Sequence, residues 1–147
     1  MGKILLIEDD GAMRELVKEK LCNYGHDVEM ANSCTSAMSR WIDNNGAFDC
    51  IILDLNLNPK GLDSKDVNYY FPVHGILVLN KICEEKSSEE VEKIWGKTFI
   101  FSGFNDYLFK KREEFEHYSK LKFHRKERET SISDLVVKVN NFIIGKG

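Results

Sequence analysis

Short solid apolar runs alternate along this chain with stretches in which apolar residues recur every three or four positions. Lys3–Ile7 is apolar after its first residue and Asp49–Leu53 likewise, the signature of strands buried on both faces. His26–Met30, Thr98–Phe101 (running into Ser102) and a short polar Lys120–Phe123 read as three further strands. Between them, Gly11–Tyr24 sets Met13, Leu16, Val17 and Leu21 on one helical face, and Asn23-Tyr24-Gly25 stops that helix. Asn32–Asn44 turns Ala37, Met38, Trp41 and Ile42 inward, and Asn44-Asn45-Gly46 closes it. Ile76–Lys86 and Asp106–Tyr118 are a third and a fourth helix. Ser131, with Asp134 three residues on, caps a fifth, whose stripe is Ile132, Leu135, Val136, Val139, Phe142 and Ile143. Five β-α units in alternation predict an α/β fold, a parallel sheet with five helices divided between its faces.

Composition narrows the class. The 147 residues suit one domain, 42% hydrophobic and 31% charged, as in soluble globular proteins. A net charge of −3 excludes a general attraction to nucleic acid or to an anionic membrane surface. Basic clusters at Lys110, Lys111 and Arg112 and from Lys120 to Arg128 read as solvated faces. Cys22, Cys34, Cys50 and Cys83 form no CxxC pair and lie in or beside apolar runs. They predict buried free thiols in a reducing compartment, and with no stretch near ~20 apolar residues the expected location is the cytoplasm.

In an open parallel sheet, ligands bind beyond the carboxyl ends of the strands. There the first strand ends in Glu8, Asp9 and Asp10, the third in Asp54 and the fourth in Ser102, while Lys126 follows the fifth. Carboxylates crowded at one edge repel unless a cation neutralises them, and hard oxygen donors suit Mg2+. A carboxylate beside such an ion can attack a phosphoryl donor, with a hydroxyl and an ammonium to bind the phosphoryl oxygens. Singly, each residue has a plainer reading: Asp9 and Asp10 as helix caps, Asp54 as a strand-terminal acid, Ser102 as a turn residue, Lys126 as surface charge. Their joint order at the strand ends is what points to acyl-phosphate chemistry.

These segments resemble the response-regulator receiver domains of two-component signalling. KILLIEDDGAMREL resembles that family's first strand and acidic pair (Glu8, Asp9), and FDCIILDLNL its phosphoacceptor strand with Asp54. TFIFSG resembles the switch-hydroxyl strand (Ser102), and FHRK the pattern that joins a switch aromatic (Phe123) to an invariant amine (Lys126). The resemblance implies a flavodoxin-like, doubly wound five-stranded sheet of order 2-1-3-4-5, spanning 1–147 as a single receiver domain. It implies Mg2+ held by Glu8, Asp9, Asp54 and the Asn56 carbonyl. Asp54, Ser102 and Lys126 would carry out phosphorylation, and Ser102 and Phe123 the switch. The partners implied are a sensor histidine kinase or histidine phosphotransfer protein and a downstream protein target. A homodimer through the face of the fourth helix, fifth strand and fifth helix is compatible with the family; nucleic acid and membrane are not expected. The domain would catalyse only its own phosphorylation and dephosphorylation, without turnover of another substrate.

Three departures qualify the match. An insertion at about 58–74, after the third strand, carries Tyr69, Tyr70, Phe71 and His74, which suit a lid over Asp54, a docking patch or a plain surface excursion. Lys126 is followed by Glu127 where the family has proline, which leaves Lys122 as the fallback amine. Asn56 and Phe104 stand where the family tunes dephosphorylation. Two rival readings remain: a degenerate receiver that binds partners without phosphate, and a magnesium-dependent phosphohydrolase of the haloacid-dehalogenase type. The second wants DxD after its first strand, where this chain has Glu8-Asp9-Asp10.

Overall fold

Apolar side chains that alternate faces on successive residues need a layer on each side to cover them, and the chain builds both. The computed structural model describes residues 2–126 and 129–146. Strands β1 (Lys3–Ile7), β2 (Asp27–Ala31), β3 (Cys50–Leu53), β4 (Thr98–Ser102) and β5 (Lys122–Arg125) form one parallel sheet in the order β2-β1-β3-β4-β5. Leu5, Ile7, Ile51, Leu53 and Ile100 enter one core. Their neighbours Ile4, Leu6, Cys50, Ile52, Phe99 and Phe101 enter the other. The second core is closed by α1 (Gly11–Asn23) and α7 (Glu129–Lys146) through Val17, Leu21, Ile132, Leu135, Val136 and Val139. His26 fastens this side by accepting from the Gly2 amide at Nδ1 (3.1 Å) and donating from Nε2 to Asn140 Oδ1 (2.9 Å).

The first core is covered by α2 (Cys34–Asp43), α4 (Gly75–Ile82), α5 (Ser88–Gly96) and α6 (Asn105–Lys110). With α3 (Ser64–Tyr70), the described residues hold seven α-helices, two more than the sequence pattern predicts. Both extra helices lie between β3 and β4. α5 opens on Ser87, whose Oγ accepts from the Glu90 amide (3.2 Å), and it buries Ile94 and Trp95. The Ser87–Glu90 spacing is a capping signal, but the acidic run around it masks the short apolar stripe. α3 opens on Asp63, whose carboxylate accepts from the Lys65 amide (2.8 Å), inside the segment expected to be irregular.

Boundaries move elsewhere for tertiary reasons. The helix expected over Asp106–Tyr118 stops at Lys110 and continues as two short 3-10 turns, Arg112–Glu114 and Tyr118–Lys120, with Phe115 buried between them. β5 sits two residues later than expected because pairing with β4 runs from Phe99↔Lys122 to Ser102↔Arg125. α7 begins before Ser131, whose carbonyl instead accepts from His124 Nε2 (2.8 Å). Ile42 points outward at 66% exposure, and Cys22 is exposed, so neither is the core residue its run suggested; Cys34 and Cys50 are buried. Burial pushes the Cys34 thiol up to about 11.

α2 starts just beyond the carboxyl end of β2, and its first turn is held there by a reciprocal cap. Ser33 Oγ accepts from the Ser36 amide (3.1 Å), and Ser36 Oγ accepts from the Ser33 amide (3.0 Å). Removing such a cap costs about 1 kcal/mol. Ser33→Ala is therefore expected to lower the urea midpoint by that equivalent with the slope unchanged; a midpoint equal to wild type would show the cap to be idle.

Candidate functional site

β1 and β3 are central, so their carboxyl ends lie side by side, with Asp54 following β3 in the ladder that pairs Ile7 with Leu53. Glu8 (2% exposed) and Asp54 (5%) are buried there, and Asp9 is exposed beside them. Oxygens of the three carboxylates lie within 4.8 Å of one another. Lys126 reaches in from the end of β5: its Nζ donates to Glu8 Oε1 at 2.6 Å and to Asp54 Oδ2 at 3.3 Å. Its backbone N–H donates to the Ser102 carbonyl (3.2 Å), and its ammonium lies 5.3 Å from the centre of the Phe101 ring.

The charge balance is uneven, with three carboxylates facing one ammonium. Burial, and then the charge on Asp54, push the Glu8 carboxyl up to about 7 against the pull of Lys126. Burial and Asp54 also raise Asp9. Burial works against the Lys126 ammonium, but Asp54 and Glu8 more than offset it and hold its proton more tightly than in free lysine. An all-oxygen donor set with surplus negative charge and one solvent-facing member fits a hard divalent cation that keeps some of its water.

The loop backbone is braced around this cluster. Arg14 Nη1 donates to the carbonyls of Glu8 (2.8 Å) and Asp9 (3.4 Å), and the Asp10 amide donates to Glu8 Oε2 (3.2 Å). The Asp10 carboxylate caps α1 by accepting from the Met13 amide (3.1 Å), so the third acid of the run serves the helix. The Asn56 amide donates to Asp54 Oδ1 (3.1 Å), which leaves both carboxylate oxygens of Asp54 with a donor. Two braces escaped the sequence reading. Arg14 left no signal beyond its place on α1. Gly75 left one, a lone glycine opening an apolar helical run: it donates its N–H to the Leu55 carbonyl (2.9 Å) and lets α4 rest on the Asp54–Leu55 backbone.

Ser102 is fully buried at the end of β4, and its Oγ accepts from the Phe104 amide (3.1 Å). Phe123 is half-buried against Tyr118, with ring centres 5.2 Å apart. Lys122, the fallback amine, lies at the other end of β5, where it donates to the Gly96 carbonyl and sits over the Phe142 ring at 4.6 Å. The amine at the acid cluster is Lys126. Glu127 and Arg128 lie outside the described residues. The aromatics of 58–74 find their contacts laterally. Tyr69 donates to Glu114 (2.7 Å), Tyr70 stacks on Phe115 and accepts from Asn80 (2.7 Å), and His74 Nε2 donates to the Val67 carbonyl (2.9 Å). Phe71 is exposed.

No protein-family model matches this chain, and no curated protein matches it in sequence. Solved structures do. A response regulator receiver domain protein from Clostridium thermocellum superposes with a TM-score of 0.64 at 21% identity, over 99% of this chain and 97% of its own. The Francisella response regulator 1452 receiver domain gives 0.64 at 19%, over the whole of both chains. The receiver domain of NtrX from Brucella abortus gives 0.64 at 20%, over 98% and 99%. With strand order 2-1-3-4-5, an acid trio at the carboxyl edge and this likeness along its whole length, the chain has the fold of a response-regulator receiver domain.

Proposed function

We propose that this protein is a phosphoacceptor receiver whose Asp54 takes a phosphoryl group and whose changed surface then engages another protein. The observation that carries this reading is the Lys126 ammonium bridging Glu8 and Asp54 while Asp9 completes the acid trio. The Asp54 carboxylate oxygen bonds to phosphorus as the bond to the leaving atom breaks. Lys126 offsets charge on the phosphoryl oxygens, and Ser102 offers a hydroxyl to one of them. A magnesium ion held by Glu8, Asp9, Asp54 and the Asn56 carbonyl would supply the positive charge that lets an anionic donor approach a carboxylate.

The switch we assign to Ser102 and Phe123. Drawing the hydroxyl toward the phosphoryl group reshapes the turn that Ser102 makes with Phe104, and Phe123 turns inward from Tyr118. The surface altered is the face of α6, β5 and α7, where a downstream protein or a second copy would bind. The donor is the phosphohistidine of a sensor kinase or phosphotransfer protein, and the setting is cytoplasmic. No helix among the described residues is long and apolar enough to cross a membrane. The region 1–147 acts as one receiver domain with its insertion at about 58–74, and its chemistry is confined to its own phosphorylation and dephosphorylation.

Incubation with magnesium and phosphoramidate tests the reading by intact mass. Wild type is expected to gain one phosphoryl group and Asp54→Asn none. A wild type that stays unlabelled, or label that persists in Asp54→Asn, would overturn it in favour of a binding module that works without phosphate.

A further inference from the structure

Where α3 meets α4, α5 and the 3-10 turns that follow α6, the chain lines a recess of about 620 Å3. Two contacts of Tyr69 hold α3 against those turns: its hydroxyl donates to Glu114 Oε1 (2.7 Å), and its carbonyl accepts from Lys111 Nζ (2.7 Å). The apolar lining is aromatic. Tyr70 and Phe115 lie nearly parallel with ring centres 6.4 Å apart, and Trp95 tilts against Phe115 at 6.2 Å. Three ionisable side chains of both signs share the same lining, Lys86 from the α4–α5 connection and Glu114 and Glu116 from either side of Phe115. They do not pair with one another. Among the described residues Lys86 has no acid partner and Glu114 no cation, only the neutral Tyr69 hydroxyl, while Glu116 lies 3.9 Å from His117 Nε2. The Tyr70 hydroxyl accepts from Asn80 Nδ2 of α4 (2.7 Å) and, among the described residues, has no acceptor for its own proton.

We propose that this recess binds an aromatic α-amino acid as its zwitterion, with its carboxylate at Lys86, its ammonium at Glu114 and Glu116, and its ring against Tyr70, Trp95 and Phe115. A volume of this size admits a small molecule of that kind. The choice of ligand follows from the unpaired charges. An aryl carboxylate would meet Lys86 and be repelled by two glutamates, and an aryl amine would meet the glutamates and be repelled by Lys86. A zwitterion answers both signs at once, and the free Tyr70 proton is a further donor for its carboxylate. The ring belongs to the ligand because the surface between the charges is aromatic, where edge-on or offset ring contacts add about 0.5–1.5 kcal/mol beyond burial. Such a ligand would bridge the connection that leaves Asp54 and the one that leaves Ser102, since α3 lies in the first and Phe115 in the second. Binding here requires no phosphoryl group on Asp54.

The test is calorimetric titration of the full chain with L-phenylalanine and with three analogues that each lack one part. Phenethylamine lacks the carboxylate, 3-phenylpropionate the ammonium and L-alanine the ring. L-phenylalanine is expected to bind saturably with one site per chain, and each analogue about fivefold or more weakly, the size of one partly exposed charge contact. Lys86→Ala is expected to lower the affinity for L-phenylalanine to that of phenethylamine on wild type, while leaving phenethylamine itself within about twofold. Glu114→Gln combined with Glu116→Gln is expected to do the same with respect to 3-phenylpropionate, and Glu114→Gln keeps an acceptor for the Tyr69 hydroxyl. All three side chains are partly or fully exposed, so the variants are expected to melt as wild type does. Absence of saturable L-phenylalanine binding, or affinity unchanged in both variants, would overturn the recess as its site. Phenethylamine, 3-phenylpropionate or L-alanine binding as tightly as L-phenylalanine would overturn the zwitterion or the ring that the missing part represents.

Discussion

Gly75→Ala is expected to destabilise the protein by about 2–4 kcal/mol, with a fall in Tm on the order of 10 °C for a chain of this size. A helical Gly→Ala change ordinarily gains up to ~1 kcal/mol, so the sign itself is diagnostic. A Cβ on Gly75 would lie 2.3 Å from the Asp54 carbonyl oxygen and 3.0 Å from Leu55 Cα. Both are backbone atoms of the segment that presents Asp54, and no rotamer change relieves the overlap. Either α4 lifts from the sheet, exposing part of its buried run of Ile76, Leu77, Val78 and Leu79, or the Asp54 loop shifts. The second response would also slow the phosphorylation proposed for Asp54. Gly96→Ala is the control, since nothing lies within 4 Å of a Cβ there, and its Tm is expected to match wild type or rise slightly. Equal behaviour of the two variants in thermal melts would show that α4 does not rest on Asp54.

Glu8→Gln is expected to raise the stability of the metal-free protein at pH 8 while weakening its response to magnesium. The Glu8 carboxyl sits at about 7 in the folded chain against 4.5 for a free glutamate, because burial and then Asp54 oppose its charge. A carboxyl raised on folding holds a proton that the unfolded chain has lost. Its contribution is therefore complete below the unfolded value and disappears as pH rises through the folded one. Metal-free wild type is thus expected to lose about 2–3 kcal/mol between about pH 4.5 and 7.5, since each tenfold gain in proton affinity on folding is worth about 1.4 kcal/mol. Glutamine keeps an oxygen for Lys126 Nζ and carries no charge, so that part of the pH dependence vanishes in the variant. Magnesium is expected to recover the loss in wild type above pH 7 and to do little for Glu8→Gln. Urea titrations across this range, with and without the ion, measure both effects. Parallel pH profiles for the two proteins would mean that Glu8 ionises freely in the fold.

The sheet was legible because its signal is local. Lys3–Ile7 and Thr98–Ser102 appear where their solid apolar runs put them, and the strand ends carry Glu8, Asp54 and Ser102 in the order the chain spells. The helices between β3 and β4 were less legible. α5 hides a three-residue stripe of Val91, Ile94 and Trp95 among glutamates, and α3 has no buried residue to announce it. Its stability comes from side contacts, Tyr69 to Glu114 and Tyr70 to Phe115 and Asn80, made across some ten to forty-five positions of sequence. The insertion's aromatics suited a lid, a docking patch or a plain surface excursion; Tyr69 and Tyr70 pack sideways through those contacts, and Phe71 is exposed.

What the sequence by itself determined was the alternation of strands and helices and the acids, hydroxyl and amine that end the strands. Period-two and period-3.6 burial are written in neighbouring residues, and a parallel sheet gathers its carboxyl ends without further instruction. What only the tertiary structure decided was which groups meet there: Lys126 rather than Lys122, Asp10 given over to α1, Gly75 beneath Asp54. Each depends on pairing or packing between segments far apart in the chain. Whether an ammonium reaches two carboxylates is a matter of β5 register on β4, a distance that residue order does not carry.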